Sequence, residues 1–254
     1  MFFKSKLEEL GSSLKEKYNS QRPFPHIVID NFVNEEILNS AVDNFPSLEE
    51  LKWIKYNNPL EKKTIYCSTE KLHNSLKETI NNLNGKEFVK FLENLTGFEN
   101  IEIDENLTGG GIHQSVRGGK LDIHADFNIL YGTTKKRCIN IILYMNKNWK
   151  EEYGGHLELW NEEMTECQQK ILPVFNRLVI FNTNETSYHG HPEPLTCPEG
   201  WTRKSIALYY YIDQEKNSEQ EGRSTKYMKR PEDPDDPNLD KFREQRSIPK
   251  DKRR

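Results

Sequence analysis

The sequence predicts an α+β fold, with a helical N-terminal part over residues 1–99 and a jelly-roll or sandwich β core over 100–212. Three observations predict it. Before residue 100 the apolar residues recur mostly at helical spacing. After it, short apolar runs recur with turn residues between them, the spacing of a β sandwich or double-sheet jelly roll. No internal repeat divides the 254 residues, and a chain of this length can bury one sizeable core.

The elements follow in order. Phe3, Leu7, Leu10 and Leu14 give residues 3–20 a helical stripe, ended by the prolines of QRPFP. HIVIDNF reads as a strand. Asn34 is placed to cap a helix through NEEILNSAVDNF, because a short polar side chain can accept from the first free N–H groups of a helix. Further helices are expected near 70–83 and 86–96. Strand-like runs then occupy 121–125, 138–145, 155–160, 171–174, 177–183 and 204–212, a core of about eight strands. Trp53, Tyr56 and EKKTIYCSTEK are expected to form a lid over a groove.

Composition narrows the function. Hydrophobic residues make up 34% and charged residues 30%, and the net charge of -4 gives no basic footprint, so no nucleic-acid partner is expected. No apolar run is long enough to span a membrane, and MFFKSKLEELGSS lacks the apolar core of a signal peptide. Cys67, Cys138, Cys167 and Cys197 are scattered, which fits free thiols in a reducing cytoplasm better than a disulfide framework or a zinc site. From Asp213 to Arg254 there are 12 Lys/Arg and 11 Asp/Glu against five large apolar side chains, so a flexible, solvated tail is expected over 213–254. The alternative is a segment that orders against the core. Oligomeric state is not readable from these features.

The chemistry sits in four stretches. In GGKLDIHADFN, His124 and Asp126 share one face of a strand, with Ile123 and Ala125 on the other. That pair suits a divalent metal, a proton relay or neither. TSYHGHPEP adds His189 and His191. RKSIALYYY puts Arg203 on a face with Ser205, Ala207 and Tyr209; RCINIILYMNKNW puts Cys138, Asn140, Ile142 and Tyr144 together. Two histidines and one carboxylate bind non-haem Fe(II) and leave coordination positions open.

The order His124-x-Asp126, CINIILYMNKNW, YGGHLELW, a distant histidine and Arg203-x-Ser205 resembles the Fe(II)/2-oxoglutarate dioxygenases. The nearest branch is that of the prolyl 4-hydroxylases, and the match covers roughly residues 108–212. The resemblance implies a double-stranded β-helix (jelly-roll) core with the N-terminal helices packed on one sheet. It implies His124, Asp126 and His189 as iron ligands. His191 is the second choice, expected to face elsewhere. Arg203, Ser205 and Tyr144 match residues that hold the far carboxylate of 2-oxoglutarate. His191, Asn140, Gln114 and Asn128 are expected behind the metal ligands or beside the substrate, with Gln114 also a candidate for the cosubstrate. PLTCPEGW, between His189 and Arg203, looks like a loop insertion. The implied cofactors are Fe(II), 2-oxoglutarate and O2, with ascorbate as a possible addition. The implied reaction hydroxylates a C–H bond and releases succinate and CO2, on a prolyl residue of a protein or peptide. The same chemistry on a free amino acid or sugar derivative is the alternative, and a silent jelly-roll binding module is the remote one. Asp126 stands where related halogenases carry a small residue, which favours hydroxylation. Physics agrees: an arginine facing into a barrel is a buried charge that needs a partner, and a carboxylate gripped by its planar fork supplies one.

Overall fold

The computed structural model describes residues 2–214 and 222–249. In chain order the elements are α1 (Leu7–Ser20), β1 (His26–Asp30), α2 (Glu35–Asp43), β2 (Ile54–Asn58), β3 (Glu61–Tyr66), α3 (Asn74–Leu83) and α4 (Lys86–Thr96). There follow β4 (Glu102–Ile103), β5 (Gly111–Val116), β6 (Lys120–Ala125), β7 (Lys135–Tyr144), β8 (Leu157–Trp160) and β9 (Cys167–Ile171). The last are β10 (Arg177–Asn182), β11 (His189–His191), β12 (Thr202–Asp213), β13 (Lys226–Tyr227) and α5 (Pro237–Ser247). Asn34 caps α2 as the sequence predicts, its side-chain oxygen accepting from the N–H groups of Glu36 and Ile37.

The strands form one curled antiparallel sheet in the order β1-β10-β7-β12-β5-β3-β6-β11-β8-β9, with β2 on β3, β4 on β12 and β13 on β6. Period-two alternation sorts the side chains between its faces. Ile139, Ile141 and Leu143 of β7 and Ile206, Leu208 and Tyr210 of β12 join the helical layer in one core. There Phe32, Phe88 and Phe91 pack with ring centroids 5.4–5.9 Å apart, and Tyr210 lies 6.2 Å from Phe88. Burying each such side chain contributes about 1.5–3 kcal/mol, so the helices stiffen the wall whose other face carries the polar residues. Arg203, Ser205 and Tyr209 of β12 and Asn140 and Tyr144 of β7 point to that other side.

The structure corrects four expectations. There are 13 strands among the described residues rather than about eight. The excess includes the hairpin β2–β3, whose charged residues hid it from a hydrophobicity reading. EKKTIY is therefore a wall strand between β5 and β6 and not a lid, while Trp53 is buried and donates from its ring nitrogen to the Ser47 carbonyl. The strand placed at 171–174 lies earlier, at Cys167–Ile171. In β7 a bulge opposite Tyr210/Tyr211 shifts the register, so Arg137 and not Cys138 joins the face of Asn140, and Cys138 turns into the helical core.

The charged tail differs most. Residues 215–221 and 250–254 lie outside the described residues, but the rest docks: β13 pairs with β6, and the Arg243 side chain of α5 is buried. Few apolar side chains are needed because buried carboxylates receive it. Arg246 reaches Glu61 at 2.7 Å, and Arg243 lies between Asp122, Asp233 and Asp240. Among the described residues no helix is long and apolar enough to cross a membrane.

Candidate active site

β6 and β11 pair antiparallel with His189 directly opposite His124. Gly190 permits this approach: a Cβ there would lie 2.7 Å from the Leu121 carbonyl oxygen and 2.8 Å from that of Asp122. The two imidazole centroids are 4.5 Å apart. Asp126, one residue beyond β6, brings its carboxylate to 3.5 Å from His124 Nε2 and 3.4 Å from His189 Nε2. One ligand atom from each of the three residues lies within 4.8 Å of the others, a group able to hold a metal ion.

The rings are oriented for it. Nδ1 of His124 sits 2.8 Å from the carbonyl of Asp122, and Nδ1 of His189 sits 2.9 Å from that of Ser187. With Nδ1–H donating to the main chain, the Nε2 lone pairs converge on the space beside Asp126. Burial, and then the neighbouring His189 ring, lower the pKa of His124, keeping it a neutral ligand. Burial alone would raise the Asp126 carboxyl, but the Arg137 guanidinium and then His189 hold it well below the usual range. Two neutral imidazoles and one carboxylate fit divalent iron and leave it net positive charge.

Asp126 is itself held. Asn140 donates to its Oδ2 at 2.6 Å, and Arg137 pairs with the same oxygen at 3.2 Å. Arg137 also donates through Nε to Asn140 Oδ1 at 2.7 Å, and its guanidinium carbon lies 3.3 Å from the Tyr209 ring centroid and 4.7 Å from that of Phe127. This fully buried arginine was missed in the sequence because regular alternation assigned its place to Cys138. The odd number of residues taken by the bulge is visible only in the pairing.

The other end of the pocket carries positive charge. Arg203, buried, donates through Nε to the Gly155 carbonyl at 2.8 Å and through Nη2 to the Tyr144 hydroxyl at 3.1 Å. Two bonds leave further N–H groups of the fork for a carboxylate. Gly155 adopts φ +73, and a Cβ there would lie 2.5 Å from Leu195 and 2.9 Å from Arg203, so the second glycine of YGGHLELW has a steric reason. Ser205 is buried opposite Tyr144 and His113 in the register. Burial, and then Lys63, bring the pKa of His113 down to about 3. Burial, and then Arg203 and Lys63, put that of His191 well below its ordinary value. His113 Nε2 and His191 Nδ1 have no hydrogen-bond partner among the described residues. The register slips against β6 between His189 and His191, and His191 feels the charges of Arg203, Lys63 and His124. It is not in the metal-holding group. His113 and Lys63 were not anticipated; Lys63 lies in the hairpin that was read as a lid.

Of two further expected residues, Gln114 lies elsewhere and Asn128 sits behind the Asp126 strand end. Gln114 alternates to the opposite face of β5 from His113 and donates to the Pro46 carbonyl at 3.2 Å, under the N-terminal layer. Asn128 ties the strand end to Glu185 and to the Arg223 main-chain N–H. PLTCPEGW folds back over the wall: Leu195 exchanges main-chain bonds with Gly118 and Gly119, and Cys197 packs with Trp149 and Tyr153.

Residues 110–211 match the family model of the 2OG-Fe(II) oxygenase superfamily. A prolyl 3-hydroxylase of Mus musculus is 33% identical over 79 residues, which are 30% of this chain but only 14% of that relative's length. Among solved structures, the fold resembles a Trichoplax adhaerens prolyl hydroxylase in complex with a hypoxia inducible factor oxygen degradation domain peptide fragment. The TM-score is 0.58 at 19% identity, covering 81% of this chain and 90% of that one. A Pseudomonas putida prolyl-4-hydroxylase aligns with TM-score 0.56 at 13% identity, over 80% of this chain and 98% of that one. A prolyl 4-hydroxylase from Phytophthora capsici aligns with TM-score 0.53 at 15% identity, over 82% and 68%.

Proposed function

We propose that the chain is a 2OG-Fe(II) oxygenase, the superfamily whose model its residues 110–211 match, and that it hydroxylates a prolyl residue in a protein or peptide. The observation that carries the reaction is the His124, Asp126, His189 group together with the buried Arg203–Tyr144 pair of the same sheet. The prolyl substrate is supported by the likeness to a prolyl 3-hydroxylase over 79 residues. Iron bound here supplies, with 2-oxoglutarate and O2, the oxidation that turns C–H into C–OH and releases succinate and CO2.

The chain's own residues do the rest. His124, Asp126 and His189 would hold the metal and leave coordination positions free for cosubstrate and O2. Asn140 and Arg137 keep Asp126 ionised and aimed. Arg203 forks onto the far carboxylate of 2-oxoglutarate, with the Tyr144 hydroxyl beside it and Ser205 on the same face. His191 is buried and feels the charges of both Arg203 and His124. Burial of all these groups excludes water and strengthens each charge-assisted bond.

Mass spectrometry tests the substrate. Proline-containing peptides and metabolite extracts are incubated with protein, Fe(II), 2-oxoglutarate and O2. One oxygen gained on proline, matched mole for mole by succinate, is expected. Oxygen appearing only on free metabolites would move the substrate class, and no turnover of 2-oxoglutarate at all would mark a silent binding module.

A further inference from the structure

The C-terminal segment touches both halves of the metal group, and Arg223 is where it does so. Its Nη1 donates to the main-chain carbonyls of Asp126 at 2.6 Å, Ser224 at 3.1 Å and Ala125 at 3.3 Å. Its Nε donates to Glu185 Oε2 at 2.5 Å, four positions before His189. Its main-chain N–H donates to Asn128 Oδ1 at 2.8 Å, and Asn128 returns to Glu185 Oε1 at 3.1 Å. The ring of contacts therefore runs from the Asp126–Asn128 backbone through Arg223 to the chain that carries His189.

The neighbouring residues reinforce it. β3 pairs with β6 only at Lys120 and Leu121, and farther along the same strand β13 pairs Lys226 with Ala125 and Tyr227 with His124. The Tyr227 ring lies 5.5 Å from that of His124, and Lys226 Nζ donates to the Tyr188 hydroxyl at 3.0 Å, next to His189. Asp126 follows the last residue of β6, so the ladder does not fix its main chain and its carbonyl takes a side-chain donor instead.

We propose that Arg223 is a positioning residue of the metal centre: by bridging the Asp126 backbone and Glu185 it holds the two ligand-bearing segments at the spacing a single ion requires. This rests on the metal-site reading above. It assigns the docked tail a role in metal affinity in addition to packing.

Titration of Mn(II) into the metal-free full-length chain, read by the loss of the free-ion paramagnetic resonance signal, tests it without any turnover. Arg223→Ala is expected to weaken Mn(II) about tenfold or more, the usual effect of losing a group that orients a ligand. Arg223→Lys should recover part of the loss, since an ammonium lacks the fork that spans carbonyl and carboxylate. A dissociation constant for Arg223→Ala within about twofold of the parent, with only the melting temperature of the metal-free protein lowered, would make the residue structural and overturn the proposal. Should Arg223→Ala fail to fold, Glu185→Gln carries the same test from the half-exposed end of the bridge, and an unchanged constant there overturns it equally. A parent chain that binds Mn(II) but turns over no 2-oxoglutarate would sink the reaction and leave this inference standing. A parent that binds no Mn(II) would overturn both.

Discussion

At the metal end the Asp126 carboxylate and the outer nitrogens of the two imidazoles already have partners in the protein. Asp126 is bonded by Asn140 and paired with Arg137, and both ligand imidazoles have their Nδ1 on main-chain carbonyls. At the other end Arg203 and Lys63 bring positive charge, and two buried imidazoles each have an atom without a partner among the described residues. The first end is built with its counter-charge in place and needs only a cation between aligned donors. At the second, Lys63 pairs with Glu61, while Arg203 bonds to a carbonyl and a hydroxyl and would be neutralised by an incoming carboxylate. Preorganisation favours tight metal binding there, and charge complementarity favours a dianionic cosubstrate here.

The largest effect should come from stripping the metal end. Replacing His124 and Asp126 together by alanine is expected to abolish Fe(II) binding and succinate formation, checked by elemental analysis and a coupled assay. Stoichiometric iron in that double variant would end the comparison.

Next in size is Arg203→Ala, which attacks the other end alone. Losing one partner of a buried ion pair costs about 3–5 kcal/mol, and water entering the vacated space favours the lower figure. At about 1.4 kcal/mol per decade, 2-oxoglutarate should weaken roughly a hundredfold while iron affinity hardly changes. The metal-to-ligand absorption band of the anaerobic iron form reports both. An unchanged constant for 2-oxoglutarate would mean the carboxylate is held elsewhere.

His113 sharpens the contrast through pH. Its pKa is about 3 folded against about 6.5 unfolded, so the unfolded chain binds the extra proton first. Stability contributed by the neutral ring is full above pH 6.5 and falls as pH drops toward 3, by about 2 kcal/mol between pH 7 and 5. Denaturant melts of the metal-free protein should show that slope, and His113→Gln should flatten it. A parallel slope in the variant would remove His113 from the account.

The smallest expected effect is at Arg137. Arg137→Met keeps the bulk under Tyr209 but removes the charge that holds Asp126 ionised, and metal affinity should drop about tenfold. The loss should grow as pH falls toward 5, because the Asp126 carboxyl then titrates nearer its ordinary value. Calorimetric titration with Mn(II) at two pH values measures it.

The parts legible in the sequence are those governed by local periodicity. His124 and Asp126 on one strand, Arg203 and Ser205 on another, and the capped helix after Asn34 all follow from spacing of two or of 3.6 along the chain. Tyr144 fell on the correct face as well, because the β7 irregularity lies before it. The misses share a cause. Cys138 was given the place of Arg137 because a bulge is a property of two paired strands and leaves little trace in one of them. Lys63 and Glu61 were read as lid residues because a polar wall strand lacks the apolar alternation by which strands are recognised. The tail was expected to be solvated because composition counts apolar area, whereas its docked residues are held by ion pairs with Asp122 and Glu61.

By itself the sequence determined the α+β class and the order along the chain of the candidate histidines, carboxylate and arginine, since these depend on residue identity and short-range geometry. Only the tertiary structure decided that His189 meets His124 across a Gly190 approach, and that Arg223 returns from the far end of the chain to Asp126. Those outcomes depend on which strands become neighbours. Neighbourhood is settled by the burial of the whole sheet against its helices, and no local run of residues contains it.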